Sequence, residues 1–133
     1  MSELRLQNLT IRYGKVTALD GLDLVIRDGE LVTLLGPSGC GKTTTLRSVS
    51  GFLAPAGGDI FIGDRRVTDI PPERRGIGLV FQNYALWPHM TVNQNLAFGL
   101  QMRKLPAPVI AEKVRAVLGV VKLEGFGDRY PRQ

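Results

Sequence analysis

The feature that most constrains this chain is the nine-residue segment GPSGCGKTT, residues 36–44. It fits the pattern of a glycine, four free positions and then Gly-Lys followed by Ser or Thr. Glycines let the main chain curl until successive N–H groups point inward, with no Cβ in the way. The apolar run 31–35 precedes the segment, and the helix-favouring run 42–52 follows it. A glycine-rich turn between a strand and a helix is the setting in which such a loop binds phosphates, so the sequence predicts a nucleotide site here.

The residues of this loop have separable expected roles. Main-chain N–H groups at the start of the helix add positive potential, and the Lys42 ammonium is expected to reach the β- and γ-phosphates. The Thr43 hydroxyl is the expected ligand of Mg²⁺, and Thr44 adds a hydrogen bond to phosphate. Cys40 occupies a free position of the pattern, where its thiol has no required role. The residues predicted to bind the nucleotide are Gly36, Pro37, Ser38, Gly39, Cys40, Gly41, Lys42, Thr43 and Thr44.

Apolar patterns elsewhere predict strands that alternate with helices. Segments 4–12 and 22–26 read as half-buried strands, and 31–35 and 77–82 as strands buried on both faces. A hairpin is predicted around residues 60–67, with Gly-Asp-Arg-Arg at its turn. Strands of this kind interspersed with helices are typical of an α/β layer fold.

Two helices are predicted in the last third of the chain. Thr91 and Gln94 have the spacing of a capping box, which predicts a helix from Val92 to about Lys104. Pro106 begins a second helix, because proline is favoured at helix starts. The apolar stripe predicted for this second helix consists of Val109, Ile110, Val114, Val117, Leu118 and Val121.

Composition excludes several classes of protein. No apolar run approaches the roughly 20 residues of a membrane span. A single cysteine rules out an internal disulfide bond within these 133 residues and favours a reducing compartment, the cytoplasm. The net charge is +5, but the basic residues form no cluster with interleaved aromatic rings, so nucleic acid is not an expected partner.

Longer segments allow a family to be suggested. The stretches LTIRYGKVTALDGLDLVIRDGELVTLLGPSGCGKTTTLRSVSGF and GIGLVFQNYALWPHMTVNQNLAFGL resemble the ATP-binding subunit of ABC transporters, above all importers of sugars, polyamines or iron. The resemblance runs from about residue 4 to residue 133. It implies a P-loop NTPase (RecA-like) core with an N-terminal antiparallel β subdomain. Residues 1–133 would be the N-terminal part of a single ABC ATP-binding domain. Within it, residues from about 91 to 133 would form the start of the helical subdomain.

The resemblance also implies roles for individual residues. Tyr13 matches the position that stacks on adenine. Gln82 matches the glutamine of the Q-loop, which approaches Mg²⁺ and the attacking water, so Lys42 and Gln82 are the candidate catalytic residues and Thr43 and Gln82 the candidate metal ligands. His89 is not expected to act, because the catalytic histidine of the family lies further along. ATP and Mg²⁺ are the implied cofactors.

Partners and location follow from the same resemblance. The region after Gln82 matches the part that contacts the membrane subunits of the transporter. A second ATP-binding subunit would join in a head-to-tail dimer with two nucleotides between the subunits. The implied location is the cytoplasmic face of the cell membrane, as a peripheral subunit, or the cytoplasm when unassembled.

The tail Tyr-Pro-Arg-Gln raises a separate expectation. In the family a similar sequence runs directly into the signature motif Leu-Ser-Gly-Gly-Gln, followed by the Walker B strand and the switch histidine. The resemblance therefore implies an incomplete copy, truncated before the signature motif, and predicts that these 133 residues alone do not hydrolyse ATP.

Two other functions remain open at this point. One is a non-transport ABC-type ATPase that acts on nucleic acid or the ribosome, although the region after Gln82 favours membrane subunits. The other is a small-molecule kinase or GTPase that shares only the phosphate loop. Neither a phosphoryl acceptor site nor a guanine-binding pattern is evident in the sequence.

Overall fold

The computed structural model describes residues 2–133. The chain divides into two compact units, one up to Leu79 and one from Val80 to Gln133. The first contains an antiparallel sheet and a short helix, and the second contains two longer helices. The prediction that both belong to a single ATP-binding domain stays a prediction.

The sheet of the first unit has four strands, β1 Leu4–Tyr13, β2 Val16–Ile26, β3 Gly57–Ile62 and β4 Arg65–Arg66. Their order in the sheet is β2-β1-β3-β4. All neighbouring strands are antiparallel, which confirms the predicted N-terminal β subdomain. Alternate side chains point to one face, and those of the central strand are almost fully buried there. The buried core consists of Leu6, Leu9, Ile11, Ile60 and Val67.

A bulge interrupts the pairing of β1 with β3. The register shifts between Gln7 and Thr10, and both Asn8 (φ 48°) and Gly58 (φ 81°) adopt left-handed backbone conformations there. The main chains approach so closely that a Cβ on Gly58 would lie 2.2 Å from the carbonyl oxygen of Asn8. Glycine is therefore required at position 58 for two reasons, its backbone angle and the space available.

Helix α1, Lys42–Val49, follows the glycine-rich loop as predicted. Gly51 (φ 85°) ends it: its N–H donates to the carbonyl of Ser48 (3.1 Å), and the N–H of Phe52 donates to the carbonyl of Arg47 (2.9 Å). These two bonds form a Schellman motif, so the predicted closure at Gly51 is confirmed.

The prediction of strands at 31–35 and 77–82 is wrong for the residues described. Neither segment joins the sheet, and Leu31 (94% exposed), Leu35 (87%) and Val80 (83%) are open to solvent. An apolar run becomes a strand only when a neighbouring strand takes up its main-chain hydrogen bonds. Within residues 2–133 no strand pairs with either segment.

The second unit has helices α2, Val92–Met102, and α3, Ala107–Val120, which pack against each other. The predicted capping box of α2 is confirmed by both of its hydrogen bonds, which join Thr91 and Gln94. On α3 the predicted stripe is only partly buried. Val114 and Leu118 lie inside, whereas Val117 and Val121 are about half exposed. No helix formed by residues 2–133 combines the length and apolar character needed to cross a membrane.

Candidate functional site

The Lys42 ammonium lies within the curl of the glycine-rich loop. Its Nζ donates to the carbonyl oxygens of Gly36 (2.7 Å) and Pro37 (2.7 Å) and to the Sγ of Cys40 (3.1 Å). These three contacts use all three donors of the ammonium and fold the side chain back across the loop. The loop thus concentrates a full positive charge at the N-terminus of α1, where the helix dipole is also positive.

Two glycines of the loop cannot be replaced without moving other atoms. A Cβ on Gly36 would lie 2.7 Å from the Sγ of Cys40. A Cβ on Gly41 (φ 92°) would lie 3.1 Å from the carbonyl oxygen of Ala18, on β2. The loop therefore packs closely against itself at one end and against the sheet at the other.

The threonines at the start of α1 differ in what they face. The Thr45 hydroxyl is buried and donates to the carbonyl of Gly41 (2.9 Å), which closes the first turn of the helix. Thr43 is exposed and Thr44 is half-buried. Their expected roles as ligands of Mg²⁺ and phosphate stay predictions.

Tyr13 is positioned by the hairpin between β1 and β2. It ends β1, pairs with Val16 and is about half exposed (47%). Ala18, whose carbonyl faces Gly41, lies two residues beyond Val16 on the same strand. The Tyr13 end of the hairpin and the start of α1 are therefore brought together by β2.

The thiol of Cys40 is perturbed by its neighbour. The hydrogen bond from Lys42 lowers the pKa of the Cys40 thiol below its ordinary value. A cysteine with a lowered pKa that is also exposed, as Cys40 is, carries more thiolate and reacts faster with alkylating reagents. The sequence pattern assigned the thiol no required role, and only the contact with Lys42 in the structure shows that its pKa is lowered.

Gln82 lies in the second unit and is exposed, as are most residues of the stretch that follows. Trp87 is the centre of an aromatic group within this stretch. Its ring lies 6.0 Å from that of His89 and 5.7 Å from that of Phe98, measured between centroids. His89 therefore packs against the tryptophan, and no group of three or more potential metal ligands occurs among residues 2–133.

Asn95 on α2 holds the Trp87 loop in place, a role that sequence reasoning missed. Its Oδ1 accepts from the N–H of Trp87 (2.9 Å). Its Nδ2 donates to the carbonyls of Trp87 (3.1 Å), Met90 (3.1 Å) and Thr91 (3.0 Å). One amide side chain thus fixes the main chain of residues 87–91. In the sequence, only the short separation between Asn95 and this loop could have indicated that role.

The sequence matches the family described as ABC transporter over residues 19–133, most of the chain. The chain belongs to the ABC transporter family. This confirms the resemblance drawn from the glycine-rich loop and the stretch around Gln82.

Named relatives of this ABC transporter chain cover almost all of it. It is 54% identical to a spermidine/putrescine import ATP-binding protein of Oleidesulfovibrio alaskensis, over 95% of the chain and 34% of that protein. It is 46% identical to an sn-glycerol-3-phosphate import ATP-binding protein of Ralstonia nicotianae, over 100% of the chain and 36% of that protein. The chain thus spans about a third of the length of the curated relatives it matches.

Solved structures confirm the fold. An ATP-binding cassette solved as a dimer in a post-hydrolysis state, bound to ADP and Pi, superposes with a TM-score of 0.86 at 28% identity. It is matched over 98% of this chain and 62% of its own. A second ATP-binding cassette of an ABC transporter gives a TM-score of 0.81 at 28% identity, and the match covers 98% of this chain and 58% of that one. The fold of this ABC transporter chain is therefore that of the ATP-binding cassette.

Proposed function

We propose that this chain forms the phosphate-binding part of an ATP-hydrolysing subunit that drives the import of a small solute. The observation that carries the proposal is its 54% identity, over 95% of its length, to a protein named as an import ATP-binding protein. A second relative at 46% identity is named for a different solute. Relatives that share this region but differ in solute suggest that the region serves ATP, not recognition of the solute.

The phosphate loop supports the ATP-binding part of this proposal. Loop residues 36–44 would hold the β- and γ-phosphates through main-chain N–H groups, with the Lys42 ammonium as the fixed cation. The ammonium now bonds two carbonyls and a sulfur atom, and phosphate oxygens would be stronger acceptors for its protons. Family membership implies ATP as the nucleotide, and a solved neighbour holds ADP and Pi.

Mg²⁺ is the proposed metal, and the Thr43 hydroxyl is its proposed ligand in the first unit. This side chain offers a neutral oxygen atom, the type of ligand that this hard cation prefers, and Thr43 is exposed. When bound, the ion would neutralise charge on the phosphates. Lys42 would stabilise the charge that develops on the γ-phosphate. The role of Gln82 that family membership implies stays a prediction.

Tyr13 is the proposed adenine contact. Its ring is about half exposed, and β2 brings its hairpin close to the start of α1. Stacking of a base on an aromatic ring is worth about 1–3 kcal/mol in nucleic-acid complexes and accepts any base. A nucleotide with phosphates at α1 would then be held at both ends by the first unit.

Labelling of Cys40 tests the proposed site directly. MgATP should slow alkylation of Cys40 in the full chain, because bound phosphates cover the loop and draw Lys42 away from the Sγ of Cys40. Adenosine, which lacks phosphates, should leave the rate unchanged. The rate is measured by mass spectrometry of the peptide that contains Cys40, and equal rates with and without saturating MgATP would contradict the assignment.

The proposed partners are a second ATP-binding subunit and the membrane subunits of the transporter, at the cytoplasmic face of the membrane. A solved neighbour is a dimer, which supports the first. The stretch 83–99 supports the second, because it exposes Tyr84 (74%), Leu86 (54%) and Trp87 (47%) and contains no charged residue of the Asp, Glu, Lys or Arg type. Exposed aromatic side chains with few charges are typical of the centre of a protein interface.

Leu86→Glu tests the proposed docking surface. We expect this change to release the full-length subunit from membranes that hold its transporter, because docking would bury the new carboxylate without a partner. ATP hydrolysis by the released subunit should remain. The measurement pairs membrane flotation with hydrolysis in solution.

Met102→Glu is the matched control, since it places the same charge on a large exposed apolar residue (66%) of the same unit, outside residues 83–99. It should stay bound to membranes. Release of both variants, or loss of hydrolysis together with release, would contradict the assigned surface.

A further inference from the structure

Arg75 is a buried cation whose acceptors are all main-chain carbonyls. The residue comes directly after the short 3-10 helix Pro72–Arg74 and is only 6% exposed. Nη1 donates to the carbonyls of Ser48 (2.8 Å) and Val49 (2.9 Å). Nε donates to the carbonyl of Ile70 (2.6 Å), and Nη2 to that of Thr68 (2.9 Å).

Two of these carbonyls form the C-terminal end of α1. The last carbonyls of a helix have no N–H partner within it, and a cation placed there also interacts favourably with the helix dipole. Gly51 allows the close approach, because a Cβ at this residue would lie 2.7 Å from Nε of Arg75. The guanidinium thus packs directly against the turn that ends the helix.

The other two carbonyls, those of Thr68 and Ile70, belong to the turn that follows β4. Thr68 is buried, and its hydroxyl accepts from the N–H of Ile60 on β3. Its neighbour Val67 is fully buried in the core. Arg75 therefore joins the end of α1 to a segment that is itself fixed to the sheet.

Burying a guanidinium costs free energy. A buried arginine is therefore expected to contribute something that offsets this cost. Burial lowers the pKa of Arg75, and the charge of Asp69 opposes that effect only in part. The Schellman bonds already end α1 without Arg75. What Arg75 adds is a rigid fork that fixes the direction of the helix end, which a flexible side chain cannot do.

That direction matters at the other end of the same helix. Helix α1 has eight residues, which is about 12 Å, and begins at Lys42. A small tilt about the C-terminal end therefore displaces the N–H groups and Lys42 at the N-terminal end. Phosphate binding depends on the positions of these groups within fractions of an ångström.

We propose that Arg75 is a positioning residue for nucleotide binding, which fixes the C-terminal end of α1 against residues 68–70 and thereby holds the phosphate loop in its binding geometry. This rests on the proposed function of the loop. Arg75 would act through α1, since its four hydrogen bonds go to the end of this helix and to residues 68–70.

The test compares Arg75→Met with Arg74→Met in the full chain. Methionine fills similar space without hydrogen bonds, and Arg74 is an exposed neighbour that receives the same change. Affinity for MgATP is measured with a fluorescent ATP analogue at a temperature where circular dichroism shows each variant to be fully folded. We expect Arg75→Met to weaken binding by about tenfold or more, and Arg74→Met to leave it unchanged. A purely stabilising role would lower the unfolding temperature and leave the affinity of the folded protein as it was.

Two further variants keep the test decisive should Arg75→Met not fold. Arg75→Lys retains the charge without the fork, and we expect a smaller loss of affinity. In Arg75→Ala, added guanidinium should restore affinity, whereas sodium at equal ionic strength should not. Normal affinity in folded Arg75→Met or Arg75→Lys would overturn the inference while leaving the proposed function intact. A wild-type chain that binds no MgATP would instead overturn the proposed function and the inference with it.

Discussion

Replacing Lys42 with alanine in the full-length subunit is expected to lower its rate of ATP hydrolysis by at least about a hundredfold. Lys42 is the only basic side chain within the loop 36–44, and its Nζ is already held in the curl of that loop by Gly36, Pro37 and Cys40. Phosphoryl transfer depends almost entirely on positioning and on stabilising charge. Without this ammonium, the charge that develops on the γ-phosphate has no fixed cation from the loop.

The control for this experiment is Lys15→Ala, which removes an exposed lysine from the turn between β1 and β2. It should hydrolyse ATP at the wild-type rate. Lys42→Arg retains the charge but replaces a compact ammonium, whose Nζ lies 2.7 Å from two carbonyl oxygens, with a larger planar guanidinium. We therefore expect a large loss of ATP hydrolysis in this variant as well. Steady-state phosphate release by Lys42→Ala within about threefold of wild type would refute the assignment of the phosphate loop.

Gly58→Ala is expected to reduce the free energy of unfolding by about 3 kcal/mol or more. The left-handed backbone costs about 1–2 kcal/mol for alanine. The remainder comes from contact with the main chain of β1, because the new Cβ would lie 2.2 Å from the oxygen of Asn8 and 2.5 Å from that of Gln7. Main-chain atoms in the centre of a sheet cannot rotate away, so β1 and β3 must separate.

Gly14→Ala separates the two contributions. Gly14 also has a left-handed backbone (φ 58°), but a Cβ there would have no atom within 4 Å. It should lose only about 1–2 kcal/mol. Urea unfolding of the full chain, followed by circular dichroism, measures both variants. Equal losses would show that β1 and β3 do not approach each other as closely at the bulge as described.

Features that depend on neighbours in sequence were predictable. The phosphate loop, the capping box of Thr91 and Gln94, and the closure of α1 at Gly51 each involve residues that lie within a few positions of one another. Backbone angles and short-range hydrogen bonds decide such structures, and residue types report them directly. The family could be predicted for the same reason, since its most specific motif is one continuous segment.

Features that depend on partners far away in sequence were not predictable with the same success. The runs 31–35 and 77–82 are apolar enough for buried strands, yet they are not strands because no strand of the described residues pairs with them. Apolar character indicates that a segment favours burial, but the hydrogen bonds of a sheet come from another strand. The sequence alone could not show whether such a strand is available.

Arg75 shows most plainly what only the tertiary structure decided. In the sequence it is one of two adjacent arginines in a loop, and nothing distinguishes it from Arg74. In the structure it is buried and bonds carbonyls 26 and 27 residues away, whereas Arg74 is exposed. The sequence by itself determined the position of the glycine-rich loop for which we propose phosphate binding, because that loop is built from its own consecutive residues. Which distant side chain fixes the helix behind the loop was decided by packing, because main-chain carbonyls are the same at every position and leave no mark on residue type.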